Sequence, residues 1–311
     1  MKAVAFSQFG GPEVMRVADL PMPEPGPGEV RVHVAAATIN PTDIGMRSGG
    51  RAAGLQKFDP PYVAGMELAG TVDAVGDNTG WQVGERVLGI TVPMRNGRGA
   101  QSEYTVVPFD SLVRVPEGVS LEQAATLPMN GLTVRRALDM MGLAPGQSLL
   151  VTGAAGAVGG YGVQLGVADG LRVIGDSAAG DEALVRGLGA QDFVARDADL
   201  VSSVRGLAPG GVDGVLDAAV IGRPLLGAVR DGGHIAAVRA FDGEPERGIH
   251  VHQVRVSDYA RNQAALQRLA DMVASGALTL RVAETVPPAS AGAAQQRLHL
   301  GGVRGRLVIV F

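Results

Sequence analysis

The chain contains no cysteine. That excludes disulfides, thiolate-bound zinc and a cysteine nucleophile. Aromatic residues make up only 4% of its 311 residues, so a core must be built from Ala, Val and Leu within a hydrophobic content of 46%. Charge of one sign is also scarce. A formal net charge of −4 provides no field for nucleic acid or an anionic membrane. No apolar run reaches the roughly 18 residues needed to cross a bilayer. A strand-like Lys2–Phe6 stands where a secretory leader would carry its apolar segment. Together these absences predict a soluble, cytoplasmic protein with no nucleic-acid or membrane partner. A G-x-S-x-G elbow for a serine nucleophile is missing too.

What the chain has in quantity is glycine, 46 residues, within a length that supports two domains. The first 120 or so residues read as β-rich. Apolar and polar residues alternate in Val30–Val34, Leu68–Val75 and Gln101–Val107, and turn signals separate these runs at Gly10–Pro12, Asp77–Gly80 and Pro116–Gly118. The proline-rich Pro21–Gly28 is a rigid loop between two strands. From about residue 121 helix and strand alternate, which predicts a parallel sheet covered by helices. Strands are expected at Ser148–Thr152, Arg172–Gly175, Phe193–Ala195, Gly214–Asp217 and His234–Val238. Helices are expected at Val158–Ala168, Asp181–Gly187, Ala198–Leu207 and Arg223–Val229. A further strand, Ile249–Val256, precedes an amphipathic helix from about Asp258 to Ser275. The apolar tail Gly305–Phe311 should return as a strand to the N-terminal domain.

The run Gly153-Ala154-Ala155-Gly156-Ala157-Val158-Gly159 sits between an apolar strand and a helix. A dinucleotide pyrophosphate requires that order: glycines let the backbone approach the phosphates, and free N–H groups at the helix start meet their charge. The spacing is GxxGxxG rather than GxGxxG. A tight turn without a ligand is the alternative for this run taken alone.

Four further segments accompany it in order: Asn40-Pro41-Thr42-Asp43, Gly65-Met66-Glu67-Leu68-Ala69-Gly70-Thr71-Val72, Val83-Gly84-Glu85-Arg86-Val87, and Ala124-Ala125-Thr126-Leu127-Pro128 with Gly131-Leu132-Thr133. With the glycine run they resemble the medium-chain dehydrogenase/reductase superfamily, in its zinc-free quinone oxidoreductase (ζ-crystallin-like) branch, along nearly the whole chain. The resemblance implies an α/β protein. A GroES-like β-rich catalytic domain (residues 1–122 and 258–311) would accompany a Rossmann-type doubly wound parallel sheet (residues 123–257). Gly153 stands where the family's AxxGxxG has alanine.

The zinc alcohol dehydrogenases of the superfamily carry a cysteine ligand near position 40 and a histidine before the glutamate of GHE. Here those places hold Asn40 and Met66, and the four-cysteine lobe has no counterpart. Metal-independent hydride transfer to a quinone or an α,β-unsaturated carbonyl is the implied chemistry. Asn40 is the candidate donor to a developing oxyanion, and Thr133 the candidate contact to the nicotinamide carboxamide. Asp43 either takes part in the chemistry or caps the turn after Pro41. Enoyl-thioester reductases of the superfamily place a tyrosine after NPxD, where this chain has Arg51. Tyr62 is the remaining candidate proton donor, with strand-entry packing as its alternative. An enoyl-thioester reductase and a non-catalytic NADPH-binding protein are the competing readings. Met46, Arg47, Gln56, Phe58, Met94 and Met129 are expected on loops around the substrate.

Cofactor choice turns on the second strand of the nucleotide domain, which ends Gly175-Asp176-Ser177. Ser177 occupies the position of the NAD-specific acid, with Asp176 one residue early, and an offset of one turns a strand side chain to the other face. Arg196 is placed to take a 2′-phosphate. NADPH is therefore expected, with NADH left open. Ala237 and Val238, at the end of the fifth strand, complete the expected cofactor contacts. His250 and His252 share one strand face as a half-exposed pair, and no metal site is expected. Arg304 and Arg306 either touch ligand or lie in solvent. The uncharged strand Ile249–Val256 should form a sheet edge, and pairing with a second copy would make a homodimer.

Overall fold

The computed structural model describes residues 1–196 and 199–311. Residues Met1–Met129 and Ala260–Phe311 form one unit, and Asn130–Tyr259 the other.

The first unit is built on a seven-stranded sheet. Its order runs Val282–Val286, Arg306–Val310, Glu29–Thr38, Glu67–Val75, Arg86–Ile90 and Leu112–Arg114, with Tyr104–Pro108 paired to Glu29–Thr38. Val30, Val32 and Val34 alternate inward and are completely buried with Leu68, Val72, Val87 and Leu112. Trp81, Phe109 and Phe311 pack against this aliphatic core from its margin. As expected, the C-terminal strand returns here: Val308, Ile309 and Val310 pair antiparallel with Thr38, Ala37 and Ala36. A smaller sheet joins Arg16–Asp19, Lys2–Phe6 and Tyr62–Val63. Pro21–Gly28 forms the loop between Arg16–Asp19 and Glu29–Thr38.

The second unit is a six-stranded, wholly parallel sheet. Its spatial order is Asp192–Ala195, Arg172–Ser177, Ser148–Val151, Val212–Asp217, Val229–Ala237 and His250–Gln253. In chain rank that is 3-2-1-4-5-6, the doubly wound dinucleotide order. The central strands Ser148–Val151 and Val212–Asp217 are buried on both faces.

Several expected elements differ in extent. The edge strand spans only His250–Gln253, because its partner ends at Ala237. The Val254 N–H takes the last ladder bond, to the Ala237 carbonyl at 3.0 Å, and a 3₁₀ turn follows at Val256–Asp258. The segment expected as a helix at Arg223–Val229 is a 3₁₀ turn, Arg223–Ala228, with Pro224 and Gly227 both unfavourable to an α-helix. The helix expected from Asp258 begins at Gln263, where the Asn262 side chain accepts the Ala265 N–H at 3.0 Å and caps it. The helix expected from Ala198 runs Leu200–Leu207 behind an Asp199 cap; Ala198 itself lies outside the described residues.

Candidate functional site

In the second unit the glycine run lies at the carboxyl end of the central strand Ser148–Val151. Gly153 has φ +63°, a conformation that favours glycine, which explains its presence where the family has alanine. Ala154 and Ala155 are buried behind it. Gly156 is the N-cap of the helix Ala157–Ala168, one residue earlier than expected, and no side chain caps that helix. Ala157, Val158 and Gly159 form its first turn, whose N–H groups have no intrahelical acceptor. A Cβ on Gly159 would lie 2.1 Å from the Gly153 carbonyl oxygen, so this glycine closes the turn against the helix. A helix start behind so close-packed a glycine turn fits a pyrophosphate.

Two carboxylates, Asp176 and Asp217, and two hydroxyls, Thr152 and Ser177, organise the backbone around this turn. The Asp176 Oδ2 accepts the Gly153 N–H at 3.1 Å and the Arg196 Nη2–H at 3.0 Å, and its own carbonyl accepts the Ala154 N–H at 2.8 Å. Asp176 is buried, and its Oδ1 has no hydrogen-bond partner; a ribose hydroxyl could satisfy such an atom. Ser177 donates from Oγ to Asp181 at 2.7 Å, and the half-exposed Arg196 donates its N–H to the Ser177 carbonyl at 2.7 Å. Thr152 Oγ1 donates to Asp217 at 3.0 Å and accepts the Ala219 N–H at 2.9 Å. Asp217 also accepts the Ile221 and Gly222 N–H groups at 3.0 and 2.9 Å, fixing the loop after the fourth strand. Ala237 closes the fifth strand, buried, with Val238 just beyond it. Thr133 lies on the helix Pro128–Met141, nearly buried.

The first unit contains a buried polar network around Asn40. Glu67 opens a strand with no solvent exposure. Its Oε1 accepts from Thr38 Oγ1, from Arg306 Nη2 and from Asn40 Nδ2 (3.2 Å), while Oε2 accepts the Met129 N–H at 2.7 Å. Arg306 also donates to Asn40 Oδ1 at 2.9 Å and to Thr38 Oγ1 at 2.6 Å. Of the two alternatives drawn from the sequence, Arg306 is not solvated; it is a buried partner of Glu67. The Asn40 amide is committed to Glu67, Thr38 and Arg306. To donate to an oxyanion it would have to release one of them.

Asp43 is a cap. Its Oδ2 accepts the Asn40 N–H at 2.8 Å and Gln101 Nε2–H at 3.1 Å, and Oδ1 accepts the Gly65 N–H at 3.2 Å. Burial pushes its carboxyl up to about 7, against those N–H donors and the charge of Arg306, which pull it down. Tyr62 packs among Phe6, Phe9, Met46 and Leu55, and its hydroxyl donates to the Phe58 carbonyl at 3.0 Å. Strand-entry packing accounts for it. Met46 and Arg47 belong to the helix Pro41–Arg47 rather than to a loop; both are buried, and Arg47 Nε donates to Gln295 at 2.7 Å.

Thr38, Glu67, Gln101 and Arg306 were not singled out by sequence reasoning as a cluster. The signal was there: Glu67 and Arg306 are opposite charges, each at the head of an apolar strand, and buried charges need partners.

Residues 26–117 match the alcohol dehydrogenase GroES-like domain, and residues 188–309 the zinc-binding dehydrogenase domain. A quinone oxidoreductase of Pseudomonas aeruginosa is 38% identical over 62% of this chain, a match spanning 58% of that relative's length. The solved quinone oxidoreductase of Pseudomonas syringae is 30% identical, with a TM-score of 0.88, over 100% of this chain and 99% of that one. An NAD-dependent alcohol dehydrogenase, 28% identical, superposes with a TM-score of 0.88 over 100% of both chains. A mycobacterial protein complexed with NADPH, 29% identical, does so with a TM-score of 0.87 over 100% of both. Among the described residues no helix is long and apolar enough to cross a membrane. With its GroES-like unit, its Rossmann-like parallel sheet and its quinone oxidoreductase relatives, the chain belongs to the medium-chain dehydrogenase/reductase superfamily.

Proposed function

We propose that this oxidoreductase is an NADPH-dependent, metal-independent reductase that transfers hydride to a quinone or an α,β-unsaturated carbonyl. The observation that carries the reading is the close-packed glycine turn Gly153–Gly156 at the start of the helix Ala157–Ala168, with Asp176 turned inward beneath it and paired to Arg196. When bound, the nicotinamide supplies the hydride, and the protein supplies position and electrostatics. The glycine turn binds pyrophosphate through backbone N–H groups. Asp176 Oδ2 is held by Gly153 and paired with Arg196, which offsets its charge where an exposed acid would repel a 2′-phosphate, and Oδ1 is left for a ribose hydroxyl. Arg196 keeps further N–H donors for that phosphate. Thr133, Ala237 and Val238 complete the cofactor contacts.

Asn40 and Met66 stand where zinc-dependent relatives carry ligands, and neither is a good zinc ligand. An electron-poor acceptor takes hydride without a Lewis acid. The network of Glu67, Arg306 and Thr38 holds Asn40 in place, and Asp43 holds the backbone on either side, at Asn40 and Gly65. Arg51, which replaces the tyrosine of enoyl-thioester reductases, stands at the start of a short helix without a side-chain cap bond, and a guanidinium keeps its proton. The protein works in the cytoplasm as a homodimer paired along the His250–Gln253 edge. Following NADPH oxidation against quinones, enones and enoyl thioesters tests the reading. Turnover with quinones or simple enones is expected; turnover restricted to enoyl thioesters, or none at all, would overturn it.

A further inference from the structure

Three of the five histidines in the chain meet on one face of the parallel sheet. His234 is in register with His250, and Ala236 with His252, on neighbouring strands. Side chains at 250 and 252 therefore flank that of His234 on the same face. His234 Nδ1 and His252 Nε2 are 3.0 Å apart, with ring centroids 5.3 Å apart and planes within 20°. At that centroid separation the two rings meet nitrogen to nitrogen, edge to edge. His250 lies on the other side of His234, at 5.2 Å between centroids. His250 is exposed and the other two are half-buried, so the cluster is open to solvent. The cluster is level with Leu149 across the sheet, below the carboxyl ends where the glycine turn opens.

We propose that His234 and His252 form an open chelate for a late first-row divalent ion, Cu(II) or Ni(II), with water completing the coordination. Metal–nitrogen bonds of about 2.0–2.1 Å at a right angle place two nitrogens about 3 Å apart, the separation found here. A modest swing of the half-buried rings turns both lone pairs to one side. Neutral imidazoles bind by moving each proton to the outer ring nitrogen, so no ligand has to be stripped of its last proton. Burial first, then the neighbouring charges of His250 and Arg230, holds His234 below its ordinary pKa, with Asp213 opposing. His252 is lowered by burial, His234 and His250. Among the described residues no three side chains of His, Asp or Glu converge to enclose an ion. That argues against a closed tetrahedral zinc site and for the ions that accept imidazole pairs with water in a tetragonal field. The imidazoles project from the sheet face, whereas a second copy pairing at the edge would use in-plane N–H and C=O groups. Assembly therefore leaves the chelate in place.

The test is titration of the full chain, without a histidine tag, with copper(II) sulfate at pH 7 in a non-coordinating buffer, read by calorimetry and electron paramagnetic resonance. One equivalent should bind, with hyperfine structure from two nitrogens in the wild type. His234→Asn and His252→Asn should each weaken binding at least tenfold, while His33→Asn and His299→Asn leave it unchanged. A wild-type spectrum without two coordinated nitrogens, or equal affinity in His33→Asn, His299→Asn and the His234→Asn/His252→Asn double variant, would overturn the assignment.

Discussion

Glu67 and Arg306, 239 residues apart in sequence, form a buried ion pair that ties the Gly65–Val72 segment to the strand Arg306–Val310. Removing one partner strands the other charge, which costs about 3–5 kcal/mol, whereas replacing both with apolar groups is often close to neutral. Glu67→Gln and Arg306→Met should each lower the denaturation midpoint of the first unit sharply. The double variant should recover most of the loss. A double variant as unstable as the sum of the singles would show that the pair is not coupled.

The two glycines of the cofactor turn should respond differently. A Cβ at Gly156 meets only the Gly153 carbonyl oxygen, at 3.1 Å, and the backbone there is extended. Gly156→Val should therefore fold yet weaken NADPH binding by at least about tenfold, roughly 1.4 kcal/mol. Gly159→Val should damage the turn itself and lower stability. A folded Gly156→Val protein with unchanged cofactor affinity would remove the pyrophosphate assignment.

Arg196→Ala should abolish most of a preference for NADPH over NADH of about tenfold or more in kcat/KM. It also leaves the Asp176 carboxylate without its cation. The loss should therefore fall mainly on NADPH, with kcat/KM for NADH changed little. A wild type that favours NADH would place the ribose recognition on Asp176 instead.

Asp43 carries a pH signature. Its carboxyl is raised from 3.8 to about 7 in the folded protein, so between those values the native state holds the extra proton. Its contribution to stability is complete below about 3.8 and is lost as pH rises through about 7. Asp43→Asn removes an acceptor at all pH values but has no proton to lose. The stability gap between wild type and Asp43→Asn should shrink from pH 5 to pH 8. A gap that widens over that range would contradict the assignment.

Most of the architecture was legible in the sequence, because period-2 alternation and strand–helix alternation are local signals. The glycine turn was legible for the same reason, since its residues are consecutive. What was not legible depended on distance. Arg306 is paired with a residue from the other end of the chain, and nothing around it in sequence reports that partner. Asp176 and Arg196 were read as separate candidates, but strand pairing sets them 3.0 Å apart. The edge strand ended early because its neighbour did, which no property of residues 254–256 reveals.

Assembly follows from that edge. The Val254 N–H bonds inward to Ala237, and alternation along the strand turns the N–H groups of Val251 and Gln253 outward. Gln253→Pro should remove an outward donor and shift a dimer towards monomer in light scattering, whereas a substitution at Val254 acts on the internal ladder. A wild type that is monomeric at micromolar concentration would refute pairing along this edge.

Hydride transfer without metal is the central claim, and stopped-flow measurement on chelator-treated, metal-analysed protein addresses it most directly. NADPH should be oxidised by a quinone at an undiminished rate in protein free of stoichiometric zinc. Activity lost on chelation and restored by zinc would contradict the account.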